Sequence, residues 1–124
     1  MNTNEIKELI VKDNKNAVND GKRLVCYFIM KNGKTKTTKF GMYKSAGTYA
    51  DGATDEKRNQ YIGRHQKREN WKDIFSAGSL SRFVLWEFRS NNDIEKFYNR
   101  EFKIPKVKIQ FKRYKKDVKK FDLI

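Results

Sequence analysis

His65 and Glu69 stand four residues apart in a segment of helical periodicity, the spacing that sets an imidazole and a carboxylate on one face a turn apart. Such a pair can serve as a base with its orienting acid, or as an internal polar link beneath a packed ring. His65 is the single histidine, the chain has one cysteine and no HExxH, so neither a metal site nor a cofactor is expected. The surrounding stretch, residues 61–86, holds both tryptophans, with Arg64, Lys67 and Arg68 threaded among the rings. Cations interleaved with aromatics suit a nucleic-acid groove, because phosphates need cations and exposed bases stack on flat groups. The same composition also builds an aromatic core under a charged shell. Placed on helices, the stretch divides that way: Tyr61, Ile62, Trp71, Phe83 and Trp86 point inward, His65 and Glu69 link them, and Arg64, Lys67 and Arg68 face out.

The stronger signal for an anionic partner lies further on. Across 124 residues, 29 Lys and Arg stand against 15 Asp and Glu, a formal net charge of +14. The excess is uneven: residues 103–124 carry nine basic and two acidic groups, whereas residues 53–102 carry ten and eight. Within that basic end Val107, Ile109 and Phe111 alternate with Lys106, Lys108, Gln110 and Lys112, which predicts a half-buried strand with a basic outer face. Arg113, Lys115, Lys116, Lys119 and Lys120 extend the charge into a tail. A balance this positive favours nucleic acid, an anionic membrane surface or an acidic protein face.

The remaining elements position these groups. Ile6, Leu9 and Ile10 suggest a short helix after Asn4, although the same run suits a strand. Residues 23–31, with LVCYFIM at their centre, are apolar on both faces, as a covered strand is. Asn32-Gly33 predicts a two-residue hairpin turn, which would set Lys31 opposite Lys34 and Val25 opposite Phe40. The returning strand is rich in Thr and Lys and has a solvated face, and residues 41–53 read as a loop. Thr54, followed by Asp55 and Glu56, starts a helix that ends near Asn70. Ser79 is expected to cap a short buried helix running to Trp86, and Ser90 with Asp93 opens another, closed by Pro105. Cys26 sits within the apolar run as a buried thiol, which suits a reducing compartment. No apolar run approaches the ~18 residues of a membrane span, and the N-terminal residues lack the pattern of a signal peptide, so a soluble protein is expected.

Two resemblances follow from these residues. Gly41-Met42-Tyr43 with Tyr61-Ile62-Gly63 resembles the signature of GIY-YIG endonucleases, which would imply the two halves on adjacent strands, Arg64 or Arg68 on a helix, and Glu87 as the metal-binding carboxylate. A broader pattern resembles a family of small, basic proteins of large nucleocytoplasmic DNA viruses, mimivirus-like and chlorovirus-like. It runs through Lys39-Phe40-Gly41, Tyr61-Ile62, Arg64-His65, Glu69-Asn70-Trp71, Ala77-Gly78-Ser79, Ser81-Arg82, Leu85-Trp86 and Phe102, over about residues 38–104. That resemblance implies a viral context and carries no catalytic residues with it.

The expected fold is α+β: a small antiparallel sheet, made of the hairpin 23–40 and the strand 106–114, covered on one face by helices from 55–104. Residues 1–114 would form one domain and 115–124 a basic tail or arm. The expected function is non-enzymatic, a minor capsid or core component of a virus particle assembled in host cytoplasm. Its partners would be acidic faces of other virion proteins or DNA, with no small-molecule substrate. A sequence-nonspecific nucleic-acid-binding or packaging protein is the alternative, and a GIY-YIG-like endonuclease the third reading. The residues expected to meet the anionic partner are Lys106, Lys108, Lys112, Arg113, Lys115, Lys116, Lys119 and Lys120, with Arg64, Lys67 and Arg68.

Overall fold

Four strands pair in the order β3-β2-β1-β4: β1 is Ile6–Asp13, β2 Lys22–Met30, β3 Thr35–Met42 and β4 Lys106–Gln110. The computed structural model describes residues 5–44 and 47–114; Lys115, Lys116, Lys119 and Lys120 lie outside them. Helices fill the connections: α1 at Ala17–Asp20, α2 at Asp55–His65, α3 at Ala77–Leu80, running directly into a π-helical turn at Ser81–Leu85, and α4 at Asn91–Glu101. The architecture is α+β as expected, but the sheet is mixed, since β4 runs parallel to β1 while the other pairs are antiparallel.

The helix expected after Asn4 is instead β1, a central strand. A register irregularity between Ile6 and Glu8 explains the misleading period. With one extra residue in the strand, Ile6 and Leu9 both reach the core at the i, i+3 spacing of a helix, and Ile10 turns to the opposite face.

The hairpin also differs from its expected register. Met30 N–H donates to Lys34 O, and Gly33 N–H donates to Met30 O, so three residues form the turn with Gly33 at φ +89°. This is the type I turn closed by a left-handed glycine. It sets Leu24 opposite Phe40 and Val25 opposite Lys39. A one-residue slip exchanges the faces of a strand; here the register puts Phe40 in the core and Lys39 on the other side.

Met30, Phe28, Cys26 and Leu24 of β2, with Leu9 and Val11 of β1, Ile109 of β4 and Phe40 of β3, form the covered face. Ile74, Leu80, Val84, Leu85, Ile94 and Tyr98 close over them from the helical layer. Cys26 is wholly buried there, and burial raises its thiol well above the ordinary range. Thr54 accepts from Lys57 N–H and Ser90 from Asp93 N–H, the two caps expected. The third cap is Ser76 rather than Ser79: Ser76 Oγ accepts from Ser79 N–H, while Ser79 is buried and donates its hydroxyl to Trp71 O. Tyr98 is fully buried and its hydroxyl has no hydrogen-bond partner among the described residues. An unsatisfied buried hydroxyl destabilises the native state, so Tyr98→Phe is expected to raise stability by about 1 kcal/mol, read as a higher urea midpoint at unchanged m-value.

Candidate polyanion-binding face

Helices cover one face of the sheet, and among the described residues none packs over the other, the open face. Register places three residues of every strand on the open face. The first row across β4, β1, β2 and β3 is Lys106, Glu8, Ile29 and Thr35, the second Lys108, Ile10, Tyr27 and Thr37, the third Gln110, Lys12, Val25 and Lys39. Of these, Val25 alone is buried; Glu8, Ile10, Tyr27 and Ile29 are half-buried and the rest exposed. Val25, at 4% exposure, lies between Lys12 and Lys39. Lysine stems cover apolar surface in this way while their ammonium groups stay in water.

The face therefore carries four lysines against Glu8, around a strip formed by Ile10, Tyr27 and Ile29. Lys12 and Lys39 flank β2 from either side, about 10 Å apart at the backbone. A depression of ≈ 270 Å³ opens between them, lined by Lys12, Lys15, Val25, Tyr27, Thr37 and Lys39 among others. Two of the lysines have acidic neighbours: Lys39 Nζ lies 2.5 Å from Asp20, and Lys108 Nζ 3.6 Å from Glu8. The Lys39 and Asn14 hydrogen bonds hold the Asp20 carboxyl below the usual range. In both pairs the lysine end is solvent-exposed, at 40% and 58%, so the attraction is screened and a phosphate can compete for the ammonium groups.

The residues named from the sequence separate in space. Lys106 and Lys108 lie on the open face, as the alternation predicted. Lys112 is exposed but past the end of β4, which stops at Gln110 rather than continuing to 114; its N–H instead donates to the Asp13 carboxylate at 3.1 Å. Arg113 turns inward, donating Nε–H to Ala50 O at 3.0 Å and Nη1–H to Asn91 Oδ1 at 2.6 Å, with its guanidinium over Phe111. Arg64, Lys67 and Arg68 are exposed at the end of α2 and just beyond it, on the helical layer. Lys12 and Lys39 were missed because neither belongs to a charge run; strand pairing alone brings them onto the same face as Lys108, on either side of β2.

The 61–86 stretch is mainly architecture. Tyr61 is buried and stacks on Trp86 at 4.4 Å between ring centres and on His65 at 4.2 Å. Burial and the charge of Glu69 push its hydroxyl up to about 12, so it stays protonated. His65 Nδ1 lies 3.7 Å from Glu69, too far for the hydrogen bond expected of that pair, and with side chains 30% and 32% exposed the two make a partly solvated contact and not an internal link. Glu69 in turn rests where a side chain at Gly78 would be, against the position of its Cβ. Ile62, Trp71, Phe83 and Trp86 are half-buried rather than central.

The endonuclease resemblance does not survive the geometry. Gly41-Met42-Tyr43 lies at the end of β3, but Tyr61-Ile62-Gly63 lies inside α2, so the two halves are not on adjacent strands. Glu87, the carboxylate that resemblance would give a metal, pairs with Arg58 through one oxygen at 2.7 Å and with Arg82 through the other.

A second polar cluster joins the C-terminal segment to the rest, and it was not foreseen. Arg23, at the start of β2, makes a two-pronged ion pair with Asp51 at 2.7 and 2.8 Å, both side chains essentially inaccessible. Asp51 also accepts from the Thr48 hydroxyl and from Tyr114 N–H, and Arg23 donates to Lys112 O. Burial raises the Asp51 carboxyl, but the Arg23, Thr48 and Tyr114 hydrogen bonds outweigh it and hold the group below the usual range. Both oxygens of the Asp51 carboxylate are answered from within the fold, by Arg23, Thr48 and Tyr114, which makes the cluster a clasp between segments.

Among the described residues no helix is long and apolar enough to cross a membrane. Comparison with curated proteins finds "Uncharacterized protein L851" of Acanthamoeba polyphaga mimivirus, 41% identical over 73 residues that cover 54% of this chain and 72% of that protein. No family model matches the chain. No solved structure matches it.

Proposed function

The chain belongs to the family of mimivirus protein L851, and from that premise we propose that it is a non-enzymatic, sequence-nonspecific nucleic-acid-binding protein of a giant virus. It would act in genome packaging, in the particle and in the host cytoplasm where particles assemble. The observation that carries this reading is the open sheet face, where Lys12, Lys39, Lys106 and Lys108 surround Ile10, Tyr27 and Ile29. A sheet face that the described residues leave uncovered and that is ringed with lysines repels a second copy of this +14 chain and attracts a polyanion. Backbone phosphates supply that charge in any sequence, which suits packaging.

The test is a salt titration. If the four face lysines each neutralise about one phosphate of a single strand, log affinity falls against log salt with a slope near −3, roughly a 50-fold loss between 50 and 200 mM. No binding of any oligonucleotide at 50 mM salt would remove the proposal.

A second reading, a minor capsid or core component gripping acidic neighbours, is favoured by one further observation. Arg64, Lys67 and Arg68 are exposed on the helical layer, so basic groups lie on both layers and could bridge two partners. Fractionating purified particles separates the two readings: a packaging protein stays with the nucleic acid after the shell is stripped, and a capsid component leaves with the shell.

A further inference from the structure

We infer that the open sheet face binds single-stranded nucleic acid in preference to duplex, with Tyr27 as the ring on which an unpaired base stacks. The inference rests on the nucleic-acid reading above and narrows it to one substrate class.

Tyr27 differs from the other tyrosines. Tyr43 lies beneath Lys44, Tyr49 beneath Arg89 with its hydroxyl on Asp55, and Tyr61 against Trp86. Tyr98 packs on Phe102, and Tyr114 lies under Arg23. Both tryptophans are engaged as well, Trp71 by Arg82 and Trp86 by Tyr61. Tyr27 alone among these eight residues makes no ring contact, no cation–π contact and no side-chain hydrogen bond among the described residues. Its ring is half-exposed on a central strand, the position from which a base can be met flat.

Its neighbours are suited to the backbone of the same strand. Ile10 and Thr37 lie directly across from Tyr27 on the two adjoining strands and offer it no aromatic or charged partner. Lys12 and Lys39 sit diagonally, one row away on the two adjoining strands, and Lys108 two strands away in the same row. Each backbone position is about 7–10 Å from that of Tyr27, a distance a lysine side chain spans to meet the phosphates flanking a stacked base. A duplex gains from the lysines but not from the ring, because its bases are already stacked on one another. An acidic protein likewise gains from the lysines alone. The uncommitted ring is therefore what selects the single strand.

The experiment compares a labelled oligothymidylate of about 15 nucleotides with a duplex of the same length by fluorescence anisotropy at about 50 mM salt. It uses the full chain and its Tyr27→Leu and Tyr27→Phe variants, each checked by thermal melting. The expected result is tighter binding of the single strand, a loss of roughly 5- to 150-fold on Tyr27→Leu, and near-complete retention in Tyr27→Phe. The same Tyr27→Leu change should leave duplex binding within about twofold. Equal affinity for both forms in the native protein, or a Tyr27→Leu loss shared equally by both, overturns the inference while leaving the packaging reading in place. Binding of neither oligonucleotide overturns both.

Discussion

Asp51→Ala is expected to lower the free energy of unfolding by about 3–5 kcal/mol, enough to leave a small domain partly unfolded at 37 °C. The size follows from what the substitution leaves behind. Arg23 stays at 2% side-chain exposure with its charge, but loses both carboxylate oxygens at once. The Thr48 hydroxyl and Tyr114 N–H lose their acceptor in the same step. The Arg23 guanidinium also lies 4.3 Å from the Tyr114 ring centre, so loss of the clasp frees residues 111–114 from the end of β2. Thermal melting should show a drop of roughly 10–25 °C. The double variant Arg23→Met with Asp51→Leu should recover much of it, because removing both partners leaves no stranded charge. Equal losses in single and double variants would mean that side-chain shape, and not the ion pair, closes the cluster. The pH dependence carries the same signature. Since the folded carboxyl titrates below the unfolded one, its contribution is complete above about pH 4 and is lost as pH falls through the depressed folded value. The native protein should therefore lose stability more steeply below about pH 4 than the double variant does.

The parts of this fold that could be read from the sequence are those set by local chemistry. Thr54 and Ser90 announce their helices because a side-chain oxygen must satisfy the first free N–H groups, and both do so. The alternation from Val107 to Phe111 announced a basic outer face because a strand buries every second residue. What escaped depends on pairing between distant segments. The Ile6 to Leu9 spacing looks helical only because an irregularity inserts a residue into a strand flanked on both sides. Asn32-Gly33 marked the turn correctly, yet the turn holds three residues, and the slip of one position sends Lys39 to the open face. The same limit applies to the site. Lys106 and Lys108 were visible as a run, whereas Lys12 and Lys39, isolated in sequence, become neighbours only across β2. Arg113 shows the reverse: adjacent to a basic run, it is drawn inward by Ala50 and Asn91, which no charge count anticipates.

Reversing Lys12, Lys39 and Lys108 to Glu together is expected to weaken single-strand binding by about 10²–10³ at 50 mM salt. The reasoning is counterion release. Three fewer phosphates neutralised remove about three of the displaced counterions, so the salt slope should flatten by about 2 along with the loss of affinity. All three side chains are solvent-exposed at their ends, so the fold should stand; unchanged melting within a few degrees checks that. Reversal of Lys39 also places a carboxylate beside Asp20, and reversal of Lys108 places one beside Glu8, each a new repulsion that deepens the effect on an incoming phosphate. The control is a matched triple reversal of Arg64, Lys67 and Arg68, which changes net charge by the same amount on the helical layer. If binding depends only on total charge, the two triple variants weaken equally and the open face has no special role. If the face is the site, the sheet variant loses both affinity and slope, while the helical variant loses only the modest long-range attraction that 150 mM salt screens away.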